Sequence, residues 1–185
     1  MLNEIKKHSL LTDCHAILLE DDLDKRDKDI IPKDFLAQTQ ERMLSEFNKI
    51  TTKHNARLIC LYAAPEIETW FIEDWENGFG SQKYVLDHQI KAGLRKAIYD
   101  MKSKCNQGFE RYHQHFEPKL SEWISSKIQE LSITHVVTDP AKASYSKRIH
   151  GSVLLQQLDP AKLEAQCRLY FSPAYRAIQA INKDN

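Results

Sequence analysis

The chain has 185 residues, 42% of them hydrophobic and 28% charged, with 26 Lys and Arg set against 26 Asp and Glu. That length holds one domain with a real core, and that composition excludes a disordered or membrane-embedded chain. A formal net charge of zero gives no overall pull toward nucleic acid, so any phosphate binding has to come from local patches. Only 5 Gly and 6 Pro argue against a loop-rich all-β fold.

Cys14, Cys60, Cys105 and Cys167 are scattered without a CxxC pair, which speaks against a zinc ribbon and against a disulfide framework. Cys14 and Cys60 lie inside apolar runs and read as small core residues. A reducing cytoplasm fits this usage. Residues 1–8 lack the apolar centre of a signal peptide, and no stretch approaches the roughly 18 apolar residues of a membrane span.

In chain order, residues 2–11 have the pattern of a short helix, and residues 14–19 that of a buried strand. The strand stops in four acids, Glu20, Asp21, Asp22 and Asp24, and the charged residues 25–29 read as a loop. Apolar residues from Phe35 to Ile50 recur at three and four positions, which predicts a helix over about 33–54. Residues 57–64 are a second apolar run of strand length. Strand, long helix and strand make a βαβ unit, hence a parallel pair. Pro65, followed by Glu66 and Glu68, marks a helix start. Two further amphipathic helices are predicted over about 81–104 and 113–131, and residues 133–138 look like one more strand. The C-terminal portion, about 145–183, reads as three short helices, two of them begun by Asp159-Pro160 and Ser172-Pro173.

The acids after the first strand contain two acid-x-acid pairs, Glu20-x-Asp22 and Asp22-x-Asp24, each on one side of an extended segment. Four like charges in five residues need compensation, and a magnesium ion, which takes one or two carboxylates and keeps waters, supplies it. A solvated turn is the plain alternative. Parallel strands place Glu66 and Glu68 near this cluster. Helical periodicity allows one of the two to face it, and an ordinary acid at a helix start is the competing reading. His113-x-His115 lacks a third metal ligand nearby. The stretch from Lys142 to His150, with Lys147 and Arg148, is a basic patch for a phosphate, or else a solvated helix end. No Gly-rich phosphate loop, GxSxG or HExxH is present.

The stretch from Ile17 to Asp24, the segment Ala64-Pro65-Glu66-Ile67-Glu68-Thr69-Trp70-Phe71, Tyr145-Ser146-Lys147 and Phe171-Ser172-Pro173-Ala174-Tyr175 together resemble a family of small Toprim-like proteins. Members often accompany ABC-type or Old-type ATPases in bacterial anti-phage defence loci. The resemblance implies an α/β fold, a parallel sheet flanked by helices, in a single domain over residues 1–185. It implies magnesium- or manganese-dependent nuclease activity, with Asp22 and either Glu20 or Asp24 as metal ligands and Glu66 or Glu68 beside them as the catalytic acid, while the basic patch would set Lys147 and Arg148 on the substrate phosphate. RNA and DNA present the same phosphodiester to such a site. Toprim enzymes also carry a glutamate, usually followed by glycine, at the end of an earlier strand, whereas Glu4 here is followed by Ile5. Three situations account for that departure: a non-catalytic relative, a partner that supplies the acid, or a chain that begins later than the full protein. A second function class is therefore a non-catalytic subunit that binds its ATPase through the acidic face.

Overall fold

A computed structural model describes residues 16–24, 26–27, 30–50, 57–105 and 108–183. The helix expected over 2–11, together with Cys14, falls outside them. Two strands, β1 (Ala16–Asp22) and β2 (Arg57–Ala63), pair in parallel with Ala16 opposite Arg57 and Asp22 opposite Ala63. Helix α1 (Pro32–Ile50) connects them. The predicted βαβ unit is thus present, because an apolar stripe on a long helix and two apolar runs of strand length bury one another.

Side chains alternate across a strand, and β2 uses both faces. Tyr62 packs edge-on against Phe35 of α1, ring centroids 5.7 Å apart, while Ala63 joins a cluster with Trp70, Leu163 and Phe171. The first strand differs from the expectation of a buried one. Leu19 is buried, but Leu18 is 48% exposed, since among the described residues β1 has β2 as its one strand neighbour.

The remaining elements form a helical body around the sheet. They are α2 (Glu68–Glu73), α3 (His88–Lys102), α4 (Tyr112–His115), α5 (Leu120–Thr134), α6 (Lys147–Leu155), α7 (Pro160–Gln166) and α8 (Phe171–Lys183). The largest core lies between α2, α3 and α5, around Phe71, Phe79, Leu94, Ile98, Ile124 and Ile128.

Several boundaries move for local reasons. The backbone of residues 65–67 is committed to the end of β1: Asp24 N–H donates to the Pro65 carbonyl at 2.8 Å and Ile67 N–H to Asp22 Oδ1 at 3.1 Å. Helix α2 therefore starts at Glu68 rather than at Pro65. Asp87 accepts the N–H groups of Gln89 and Ile90, and as an N-cap it starts α3 at His88, leaving the buried Tyr84 and Leu86 on a loop. Pro118 separates α4 from α5, which were expected as one helix.

The strand expected over 133–138 is instead the end of α5. Val137 N–H donates to the Ser132 carbonyl at 2.9 Å and Val136 N–H to Ile133 at 3.2 Å, a Schellman ending. Its left-handed position is held by Val136 at φ 53°, a poor residue for that conformation. The parallel sheet consequently has two strands among the described residues.

Three buried carboxylates tie the helical body together at helix N-termini, where N–H groups lack intrahelical partners. Glu66 accepts Ser121 N–H at 2.8 Å and Ser121 Oγ–H at 3.1 Å at the start of α5. Asp74 accepts the N–H of Asp159, which caps α7, at 2.8 Å. Glu110 accepts the N–H groups of Leu169 and Tyr170, at 2.7 and 2.9 Å, ahead of α8.

Burial pushes the Glu110 carboxyl up from 4.5 to about 7 despite these donors. The folded chain therefore binds a proton that the unfolded chain has released, and stability present below pH 4.5 is lost as pH rises toward 7. The expected size is up to about 3 kcal/mol, at about 1.4 kcal/mol per pKa unit. Urea unfolding across this range should show wild type losing that stability relative to Glu110→Gln; parallel pH profiles would refute the assignment. Val136→Gly should raise stability by about 1 kcal/mol by relieving the left-handed β-branched residue, read as a higher urea midpoint at unchanged slope.

Candidate functional site

Parallel strands deliver their C-terminal ends to one edge of a sheet, where ligands of α/β folds bind. At that edge β1 ends on Asp22, and the segment after β2 brings Glu66 and Glu68. Helix α6 supplies Lys147 as its first residue, and Tyr145 precedes it.

Asp22 is fixed by Ile67 N–H on Oδ1 and forms an ion pair with Lys147 Nζ through Oδ2. Glu68 is fully buried. Its Oε1 accepts the Tyr145 hydroxyl at 2.6 Å, and its Oε2 lies 3.9 Å from Lys147 Nζ without a hydrogen-bond partner among the described residues. One ammonium thus bridges two carboxylates, one from the end of β1 and one from the start of α2. Glu66, Asp22 and Glu68 are close enough that all three act electrostatically on Lys147.

Burial raises the Glu68 carboxyl, and the Tyr145 hydrogen bond and the Lys147 charge offset only part of it. Burial lowers Lys147, but the Asp22 and Glu68 carboxylates outweigh it and hold the ammonium charged. Tyr145 is pushed up by burial and by the neighbouring Glu68, so its hydroxyl remains a donor. A charged lysine beside a carboxyl shifted toward its neutral form is the kind of perturbed set found where chemistry occurs.

The other acids have different tasks. Asp24 pairs with Lys119 at 3.0 Å, and Asp21 with Arg26 at 2.9 Å. Glu20 is exposed. The charge of the acidic turn is compensated by Arg26, Lys119 and Lys147, so the like-charge argument does not by itself call for a metal. Glu66 is spent on the start of α5. Arg148 is exposed. The two histidines diverge: His113 is buried, its Nε2 2.8 Å from Asp27 Oδ1, while His115 is exposed. Among the described residues no three His, Cys, Asp or Glu side chains converge as a metal set.

Sequence patterns missed Ser121, which engages Glu66 across 55 positions, and the buried Asp27–His113 contact. Asp27 lies in a charge run that reads as solvated, and nothing periodic marks it. No family model matches the chain, and neither does any curated protein or solved structure. No helix among the described residues is long and apolar enough to cross a membrane.

Tyr145→Phe removes the donor to a buried carboxylate and should cost about 1–3 kcal/mol. Lys147→Met removes the bridging charge and raises the Glu68 carboxyl further, so stability should fall more steeply as pH rises than in wild type. Denaturant unfolding at several pH values checks both, and a pH profile identical to wild type for Lys147→Met would contradict the bridge.

Proposed function

We propose that this protein is a magnesium- or manganese-dependent nuclease, or a nuclease-related subunit, acting on nucleic-acid phosphodiesters. The observation that carries the reading is Glu68: a fully buried carboxylate with one unpartnered oxygen, turned toward the same ammonium that Asp22 holds, at the C-terminal edge of a parallel sheet. Structural carboxylates in this molecule, Glu66 and Glu110, have both oxygens occupied by donors. Glu68 does not.

The donor set fits a magnesium ion, which takes one or two carboxylates and keeps several waters. Asp22 and Glu68 are the residues that would hold it. When bound, such an ion polarises the phosphate and acidifies water. The chain's own contribution is electrostatic and positional. Lys147 meets the phosphate charge once released from the carboxylates, Tyr145 keeps Glu68 oriented, and Ile67 N–H keeps Asp22 aimed. Hydrolysis adds water to phosphorus and breaks one P–O bond, and the proton that the attacking water gives up is balanced by the one the leaving oxygen takes up. Work beside an ABC-type or Old-type ATPase in anti-phage defence, in the cytoplasm, is part of the same proposal and rests on the family resemblance.

The deciding experiment incubates RNA and DNA with the protein and manganese or magnesium, alongside Asp22→Asn and Glu68→Gln. Cleavage should fall by at least about a hundredfold in either variant, the scale of losing one positioned acid or base. A divalent-ion thermal upshift should also vanish. Cleavage that survives both substitutions sinks the reading, and a metal-silent protein without cleavage points to the non-catalytic subunit.

A further inference from the structure

Past the C-terminal end of α2 lies an open groove of about 610 Å³, between the turn over 75–80 and the outer face of α3. Arg95, Lys96 and Tyr99 stand on that face at helical spacing, and Lys91 closes it one turn earlier. The floor is fixed by packing. A Cβ at Gly80 would lie 2.5 Å from Trp75 Nε1, so the indole is seated directly on a residue that must be glycine. The Arg95 guanidinium stands over the same indole, 5.8 Å from the ring centroid. Lys91 Nζ donates to the Ser81 carbonyl at 2.6 Å, which holds its charge beside Gly80.

Three cations line the groove and one carboxylate, Glu76, answers them; Asp100 lies outside the lining. Glu76 accepts one Arg95 N–H at 2.9 Å, with the two side chains 64% and 62% exposed. Such a pair is worth at most about 1 kcal/mol, and the other guanidinium donors stay available. The side chains of Lys96 and Tyr99 make no ion pair, hydrogen bond or ring contact among the described residues, and Tyr99 is 75% exposed. In a chain of zero net charge this is a local surplus of positive charge beside a free aromatic ring.

We propose that this groove is a binding surface for single-stranded nucleic acid, with Arg95 and Lys96 on the phosphates and Tyr99 stacked on a base. A cationic groove with an exposed aromatic ring matches a backbone whose bases are unpaired. An acidic peptide would meet the cations and leave the ring without a flat partner, and a duplex keeps its bases inside the stack. The inference rests on the nucleic-acid reading above and extends it. The ring contacts Trp75–Phe79 and Phe79–Tyr145, centroids 6.4 and 5.1 Å apart, set the groove two side chains from the tyrosine that holds Glu68.

The test needs no cleavage. Short fluorescent oligothymidylate and oligouridylate are titrated with the full chain, without divalent ions, and followed by anisotropy across a salt series. Wild type should bind both, more weakly as salt rises. Tyr99→Ala should weaken binding about tenfold, the scale of one stacked base, and Tyr99→Phe should bind like wild type. Lys96→Gln should lower the slope of log K against log salt by about 0.7, one single-strand phosphate. Lys33→Gln, the same charge change on α1, should alter neither affinity nor slope. No binding, a duplex held as tightly as a single strand, wild-type behaviour of Tyr99→Ala or Lys96→Gln, or an equal loss in Lys33→Gln would overturn the groove. Displacement of the oligonucleotide by an equal concentration of an acidic peptide would reassign it to a protein partner. Binding that responds to Tyr99 and Lys96 in a chain without metal-dependent cleavage keeps the groove and removes the nuclease reading. Cleavage abolished by Asp22→Asn, with binding indifferent to Tyr99 and Lys96, does the reverse.

Discussion

The arrangement depends on buried carboxylates that accept the free N–H groups of helix starts. Glu66, Asp74 and Glu110 each reach across more than fifty positions of sequence to do so, to Ser121, Asp159 and Leu169 with Tyr170. A buried carboxylate without donors costs several kcal/mol, and a helix start without acceptors leaves N–H groups unpaired. Bringing the two together removes both penalties. It also fixes where α5 and α7 begin relative to the 65–74 segment and where α8 begins relative to Glu110, and the 65–74 segment is tied to the end of β1 through Asp24 N–H and Ile67 N–H. The edge of the sheet and the helical body are therefore held by one set of polar contacts.

Against that background Glu68 stands out by its bonding. It lies two residues from Glu66 and is as buried, yet it receives one hydroxyl and a distant ammonium instead of a hydrogen-bond donor on each oxygen. The distinction follows from where the helix begins. With α2 starting at Glu68, Glu66 lies on the turn before it and points to α5, while Glu68 in the first turn points to Tyr145. Helical periodicity applied from Pro65 leads to the expectation that only one of the two glutamates faces the acidic cluster. Both are buried, Glu68 against Tyr145 and Lys147 and Glu66 against Ser121.

How much of this was legible follows from the range of the interactions involved. The βαβ unit could be read because its signal is local: a stripe at helical spacing on α1 and two apolar runs. Residues 133–138 misled because a short β-branched run does not distinguish a strand from a helix ending. Here Ser132 and Ile133 accept the bonds that close α5, and Val136 tolerates a left-handed turn. Asp22, Glu68 and Lys147 were candidates from charge pattern and family resemblance, but their partners were not. The Asp22–Lys147 contact spans 125 positions, and no spacing rule reaches so far. Glu20 and Asp24 were legible as acids yet not as bystanders, since what sets them apart is exposure in one case and Lys119 in the other.

The parts of the cluster differ in how firmly they are held. Asp22 is bonded to backbone and Glu68 is enclosed with Tyr145, whereas the Lys147 side chain is 42% exposed and stands at the first position of α6. A long, flexible, half-solvated side chain gives up an ion pair at modest cost, because water re-solvates its ammonium. The carboxylates have no such freedom. Any anion or cation entering the site therefore competes for Lys147 or for the carboxylates it leaves behind, and the pair acts as an internal counter-ion that preserves the geometry of the acids until a ligand replaces it.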